Sequence, residues 1–211
     1  MAAIRAICFD LDGTLYDLPR QKRRLWKWML RHPIVLKVWQ EETALLRGVR
    51  GNDLHGVVAQ RVAERCGIKQ EKAEAIIQKV VFEIYPATFS PRDLLPGLLE
   101  LFAWIDDNQI PRSVVSDHPT DKKLHGLGQT EGWQCTIDCS DLGALKPLPD
   151  GLEKAARLMG VNPDEVLMIG DRDDTDGQMA LHVGAPCLIR GTDWTTGSDL
   201  QQAVQNLVAS S

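Results

Sequence analysis

Two short stretches place acids directly after apolar runs. The first reads Cys8-Phe9-Asp10-Leu11-Asp12-Gly13-Thr14. In the second, Val166-Leu167-Met168-Ile169 ends at Gly170, and Asp171, Asp173, Asp174 and Asp176 follow within six residues. Carboxylates so close repel: at roughly 4 Å and an effective dielectric of about 20, a like-charged pair costs about 4 kcal/mol. A solvated acidic turn or a helix N-terminus would tolerate them. The alternative is a cation site, which needs acids from elsewhere in the chain. Asp10 and Asp12 alternate around Leu11, so in an extended segment both point to one side. Gly13 permits a turn and Thr14 offers a hydroxyl.

The elements that must position these residues are legible from the apolar pattern. Non-alternating apolar runs recur at Ala6-Ile7-Cys8-Phe9, Ser113-Val114-Val115, Cys135-Thr136-Ile137, Val166 to Ile169 and Pro186 to Ile189. Runs of that kind suit strands buried on both faces, as in a parallel sheet. Helical patterns lie between the later ones, opening at Pro96-Gly97-Leu98, running from Pro149 to Leu158, and closing the chain over 197 to 208. The expectation is a doubly wound, Rossmann-like α/β layer fold. Residues 17 to 92 read instead as helix throughout, with a helix between Asn52-Asp53 and Gly67 and another from Lys69 to Tyr85. The expected organisation is an α/β core made of 1–16 and 93–211, with 17–92 inserted as a helical unit after the first strand.

In such a sheet, ligands bind beyond the carboxyl ends of the strands. Asp10 and Asp12 sit at one such end and Asp171 at another, so their carboxylates converge on one crevice. A hard divalent cation with oxygen ligands, Mg²⁺ above all, relieves the repulsion. Two more strand ends add Ser116, in Val114-Val115-Ser116-Asp117, and Lys146, in Leu142-Gly143-Ala144-Leu145-Lys146-Pro147. Aspartates, a metal, a hydroxyl and a lysine can bind a phosphate dianion. Asp10 could attack phosphorus to give an aspartyl phosphate. Lys146 and the metal would hold the charge of the transferring group. Asp12 could protonate the leaving oxygen and later take a proton from water.

Asp10-Leu11-Asp12-Gly13-Thr14-Leu15, a strand-end serine, Lys146-Pro147 and the Gly170-Asp171 acid cluster, in this order, resemble the haloacid dehalogenase-like hydrolases. The resemblance covers 1–16 and about 93–211. It implies Asp10 as nucleophile, Asp12 as acid/base, and Ser116 and Lys146 as phosphate-binding groups. It also implies Mg²⁺ held by the Asp10 side chain, the Asp12 main-chain carbonyl and Asp171, and a mobile helical cap over 17–92. Three departures stand out. Asp117 follows Ser116 where many members have asparagine, and its charge would disfavour anionic substrates unless it points away. The second acid of the last motif often comes four residues after the first. That position is Thr175 here, so Asp176 is the expected second acid and Asp174 the alternative. The dehalogenating branch lacks the second aspartate, so Asp12 points to phosphate chemistry.

The expected activity is therefore hydrolysis of a small phosphate monoester, with a phosphotransferase or mutase as the close alternative. A non-catalytic phospho-receiver is a different class. It would carry its phosphoacceptor on the third strand, where this chain has Asp138.

Composition narrows the setting. The 211 residues are 44% hydrophobic and 25% charged with net charge -5, an ordinary globular balance without the basic excess of nucleic-acid binders. No run approaches the roughly 18 apolar residues of a membrane span, and Met1-Ala2-Ala3-Ile4-Arg5 meets a charge too early for a signal-peptide core. Five cysteines without a C-x-x-C pair suit a reduced, cytoplasmic protein, and the five histidines show no ligand spacing. A monomer is the default. One stretch is unusual: seven basic residues lie between Arg20 and Lys37, with no acid from Leu18 to Gln40, and Trp26, Trp28 and Trp39 are interleaved. A solvated basic face with packed tryptophans is the first reading. The others are a cationic surface that draws anionic substrate and an interfacial membrane helix, the last weakened by Pro33.

Overall fold

The computed structural model of the protein describes residues 3–210. Five strands, β1 (Ala6–Phe9), β2 (Arg112–Ser116), β3 (Cys135–Asp138), β4 (Val166–Gly170) and β5 (Cys187–Ile189), form one sheet in the order β3-β2-β1-β4-β5. Every pairing is parallel. The strand order reverses between β1 and β4, so the crevice there is where an α/β sheet of this kind takes a ligand.

The period of two along each strand divides the core. Ala6 and Cys8 of β1 join one buried cluster with Val166 and Met168, while Ile7 and Phe9 join another with Leu167 and Ile169. Helix α9 (Asp150–Met159) covers the first face through Leu152, Ala155 and Ala156. Helices α7 (Leu98–Asp107) and α11 (Gly197–Ala209) cover the second. Two further short helices, α8 (Asp121–Gly126) and α10 (Gln178–His182), complete the β/α units.

Between β1 and β2 the chain is helical. Helices α1 (Leu18–Arg23), α2 (Trp26–Arg31) and α3 (Pro33–Leu45) are followed by α4 (Leu54–Cys66) and α5 (Gln70–Ile77). Pro33 opens α3, the first-turn position at which its missing N–H costs nothing. Asp53 caps α4 by accepting from the Gly56 amide at 3.0 Å, and Gly67 ends it. Helix α5 runs into a π-helical stretch, Gln78–Ile84, and then α6 (Tyr85–Ala87). The continuous helix expected from Lys69 to Tyr85 is present, with a widened turn at its end. No helix among the described residues is long and apolar enough to cross a membrane.

The tryptophans of the basic stretch behave differently from one another. Trp39 packs against the first core cluster, whereas Trp26 is 56% exposed, with Lys27 Nζ 5.5 Å from its ring. Trp28 stacks on His32. The reading of packed tryptophans holds for Trp39 and fails for Trp26, because a six-residue helix beside the solvent has no second layer to cover that face.

The outgoing and returning connections of the helical segment lie side by side. Tyr16 bridges Leu94, and Leu95 N–H donates to Leu15 O at 2.9 Å. Asp93, 8% exposed, fastens them. Its carboxylate accepts from Arg24 at 2.7 and 2.5 Å and from the Ser90 amide at 2.8 Å. Burial pushes the Asp93 carboxyl up, but the bonds from Arg24 and Ser90 outweigh it and hold it at about 2. A lowered folded value means the contribution is present above about pH 4 and fades as pH falls toward 2. Arg24 is about a third exposed, so solvent screens part of the pair. In urea unfolding at pH 7, Asp93→Ala is expected to lose about 2 kcal/mol, with the gap from wild type narrowing below about pH 4. Equal stabilities at pH 7 would show that the two connections do not depend on this contact.

Candidate active site

Three strand ends and one loop build the site. The β1–β4 pairing continues past the strand, since Asp10 N–H donates to Ile169 O at 2.8 Å. The chain then turns at Gly13, with φ 101°. A Cβ at Gly13 would lie 2.1 Å from Asp171 Oδ2, and one at Gly170 would lie 2.4 Å from the Asp176 Cβ. Glycine at position 13 lets the turn after β1 close on Asp171 beyond β4, and glycine at position 170 lets the turn that follows fold Asp176 back over its own strand end. Arg190, just after β5, donates from Nη1 to Gly13 O at 2.7 Å and fixes the turn.

Asp10, Asp171 and Asp176 each present an oxygen within 4.8 Å of the others. Lys146, whose side chain is 3% exposed, bridges two of them: Nζ donates to Asp10 Oδ1 and to Asp176 Oδ1, each at 2.7 Å. The peptide bond between Lys146 and Pro147 is cis. Asp176 Oδ2 accepts from the Asp171 and Arg172 amides, each at 3.3 Å. Asp174 lies outside this group, with its carboxylate paired to Arg172 and 66% exposed. Of the two acids offered as the second in that motif, Asp176 is the one in the cluster.

Burial pushes the Asp10 carboxyl well above the usual range, with Asp176, Asp171 and Asp12 adding to it and Lys146 opposing. Burial and Asp176 together raise Asp171 to about 6. Burial disfavours the Lys146 ammonium, but Asp10, Asp176 and Asp117 outweigh it and keep the lysine charged. One ammonium facing three carboxylates leaves excess negative charge in a dry place. An all-oxygen donor set with raised acid pKa values fits a hard divalent cation, which would reverse those shifts.

The other expected residues fall around this centre. Thr14 is fully buried and its hydroxyl donates to Asp10 Oδ2 at 2.9 Å, so it orients Asp10 and does not face the open crevice. Ser116, 1% exposed, accepts at Oγ from the His118 amide at 3.2 Å and lines the cavity. Asp117 turns aside: its Oδ1 accepts from the Lys146 main-chain N–H at 2.9 Å, so its charge anchors the lysine loop. Asp12 leaves the carboxylate cluster, and both its oxygens accept from Lys123 Nζ at 2.7 Å. Tyr16 OH donates to Asp12 as well, and lies 3.1 Å from Tyr85 OH. Burial raises the Asp12 carboxyl, but Lys123, His118 and Tyr16 overcome it and bring it to about 2.

Lys123, Tyr16 and His118 were not singled out in the sequence. Lys123 sits in an ordinary Asp121-Lys122-Lys123 helix start, and only the fold carries it to β1. His118 offered one signal, its position two residues after the strand-end serine. It is partly buried, with Nδ1 buried and unpartnered, and burial, aided by Lys123, pushes its pKa down to about 3.

All of this opens into one cavity of about 740 Å³ between the sheet ends and the helical segment. A shallower cavity of about 820 Å³ near Pro86, His125 and Trp133 holds none of the acid cluster.

Comparison with known proteins agrees with this geometry. Residues 4–184 match the model of the haloacid dehalogenase-like hydrolases. The chain is 25% identical over 199 residues to a β-phosphoglucomutase of Bacillus subtilis, covering 90% of this chain and 88% of that one. It is 27% identical over 192 residues to a phosphoglycolate phosphatase of Yersinia pestis, covering 88% and 80%. A β-phosphoglucomutase structure from Clostridium difficile shares the fold, with a TM-score of 0.73 at 17% identity and 98% coverage of both chains. The chain belongs to the haloacid dehalogenase-like hydrolase family, and its relatives there include phosphatases and a phosphomutase.

Proposed function

We propose that this protein is a Mg²⁺-dependent phosphatase that hydrolyses a small phosphate monoester through an aspartyl phosphate on Asp10. The observation that carries the reading is the Lys146 ammonium held 2.7 Å from both Asp10 and Asp176, at the wall of a cavity that also holds Ser116. In this reading an Asp10 oxygen attacks phosphorus and the ester P–O bond breaks. Thr14 holds the other Asp10 oxygen, which fixes the direction of attack. Lys146 and Ser116 hold the phosphoryl oxygens. Asp10, Asp171 and the Asp12 main-chain carbonyl, with Asp176 alongside, would hold Mg²⁺, which would neutralise charge on the transferring group. The residues 17–92 act as a cap that covers the leaving group.

Asp12 serves both halves. In the arrangement with Lys123 it is a carboxylate, suited to taking a proton from the water that attacks the aspartyl phosphate. Protonating the leaving oxygen first requires that the Lys123 and Tyr16 contacts loosen as the substrate dianion enters. A hydroxyl of a sugar phosphate in place of water would make the enzyme a phosphotransferase or mutase. Similarity to β-phosphoglucomutases keeps that second reading. The receiver reading has less support, since Asp138 gives its carboxylate to the Ser140 amide and hydroxyl at 2.8 and 2.5 Å, away from the cavity.

The direct test is phosphate release from a panel of monoesters with Mg²⁺. Release is expected to stop with EDTA, return with Mg²⁺, and be lost in Asp10→Asn; activity in the metal-free protein or in that variant would refute the mechanism. An isomerised sugar phosphate without free phosphate would select the mutase.

Asp12→Asn is expected to lower turnover by about 10²–10⁴-fold. Phosphorylated Asp10 should accumulate and be visible by mass spectrometry after an acid quench. Normal turnover without trapped intermediate would remove Asp12 from the proton transfer.

Lys123→Met removes the ammonium that holds Asp12 down, leaving burial to raise it. Because the base form is needed for dephosphorylation, the acidic limb of the kcat–pH profile should move upward in that variant. An unmoved limb would detach Lys123 from Asp12.

A further inference from the structure

The phosphoryl end of the cavity is charged, but its far wall is not. Along α3, Leu36, Trp39 and Thr43 line it at helical spacing. Leu25 and Met29 extend that wall outward, and Val81, Phe82 and Tyr85 face it from the π-helical stretch and α6. A π-helical turn is wider than an α-helical one, and such turns recur at functional sites. Here the wider turn brings the adjacent Val81 and Phe82 to the same cavity. His118 from the sheet side lies between the two walls, with ring centroids 5.6 Å from Trp39 and 6.5 Å from Phe82.

Several polar groups in this half are already occupied, and the buried exceptions are His118 Nδ1 and Arg47 Nε. The Thr43 hydroxyl donates to its own helix at Trp39 O, 2.8 Å. His55 Nε2 meets Ser140 Oγ at 2.8 Å, and Lys122 Nζ donates to Phe82 O at 3.2 Å. Gln40, Gln78 and Lys22 are exposed, at the rim. Arg47 lies toward the acids, where its charge acts on Asp117 and Asp174. A polyhydroxylated leaving group would lose its water here and find few free partners, and unmatched buried hydroxyls oppose binding.

Building on the phosphatase reading, we infer that the site takes the phosphate monoester of an apolar alcohol, whose aromatic or alkyl body rests between Trp39, Phe82 and the His118 ring. The phosphate would go to Lys146 and Ser116, and the hydrocarbon would displace water from the wall formed by α3 and the π-helical turn.

The test is a primary alkyl phosphate series (ethyl, butyl, hexyl and 2-phenylethyl) against glycerol 3-phosphate, phosphoglycolate and glucose 6-phosphate, on the full chain with Mg²⁺. The alkyl members share closely similar leaving groups, so chain length reports binding and not activation. We expect kcat/KM to rise by about two- to fourfold per methylene until the wall is filled. The polar esters should fall at least tenfold below hexyl phosphate. Trp39→Ala should cut the hexyl-over-ethyl preference by about tenfold. Should that variant fail to fold, Phe82→Leu should flatten the series in the same direction. A flat series, an unchanged preference in the variants, or polar esters turned over faster than hexyl phosphate would each overturn the inference and leave the phosphatase reading intact. No phosphate release from any member would overturn the phosphatase reading itself, and the inference with it.

Discussion

An ammonium buried between carboxylates at the ends of two adjacent parallel strands is the constraint on which the structure turns. Parallel β1 and β4 bring Asp10 and Asp176 to the same end of the sheet, beside Asp171. Without a counter-charge, these acids could not share a dry crevice. Lys146 answers part of that charge through two contacts of 2.7 Å, and much nearby structure holds the lysine and its partners in place. Asp117 ties down the Lys146 main chain, Thr14 fixes Asp10, and the amides of Asp171 and Arg172 fix Asp176. In the proposed mechanism, the charge left over is what a metal ion would neutralise. A site with three acids and one lysine is poised for a cation and, through it, for a dianionic substrate.

A second balance operates on Asp12, only two residues from Asp10. Lys123 grips both its oxygens and Tyr16 donates to it. The two aspartates of one short motif therefore have opposite acidities, Asp10 raised and Asp12 lowered to about 2. Their environments differ more than their spacing implies, because Leu11 and the Gly13 turn send them to different partners. A pair of acids with separated pKa values is the arrangement that lets one act as nucleophile while the other handles protons.

The helical segment contributes a wall and not a charge cluster. Its connections are clamped to the sheet domain at Asp93, with Tyr16 and Leu94 paired beside it. Most of its buried residues continue one of the two core clusters of the sheet, and Tyr85 and Phe89 join the other. The exposed Trp26, Leu30 and Ile34 lie on the outer side of the same segment, and the cavity-facing side carries Leu25, Leu36 and Trp39. The cavity wall is thus built from residues whose sequence pattern is that of ordinary amphipathic helix.

The sequence alone determined the sheet and the identity of the central acids. Unbroken apolar runs mark strands buried on both faces, and acids placed just after them must collect at one edge of a parallel sheet. Asp10 and Asp171 are legible this way because each follows a strand directly, and Ser116 because it ends one; Lys146, well past β3, is legible only from the order of the motifs. Tertiary structure decided what the sequence left open. Asp176 joins the cluster in place of Asp174 because the turn after Gly170 directs its carboxylate inward to Lys146 and two amides, while Asp174 goes to Arg172 and solvent. Thr14 is turned onto Asp10, and Asp117 onto the Lys146 amide. Lys123 and Tyr85 reach Asp12 or its tyrosine partner from helices 111 and 69 residues away from their contacts, and no local pattern records such separations. The physical reason is range: period and strand-end position are local properties, whereas the partner of a buried charge is set by which distant element packs beside it.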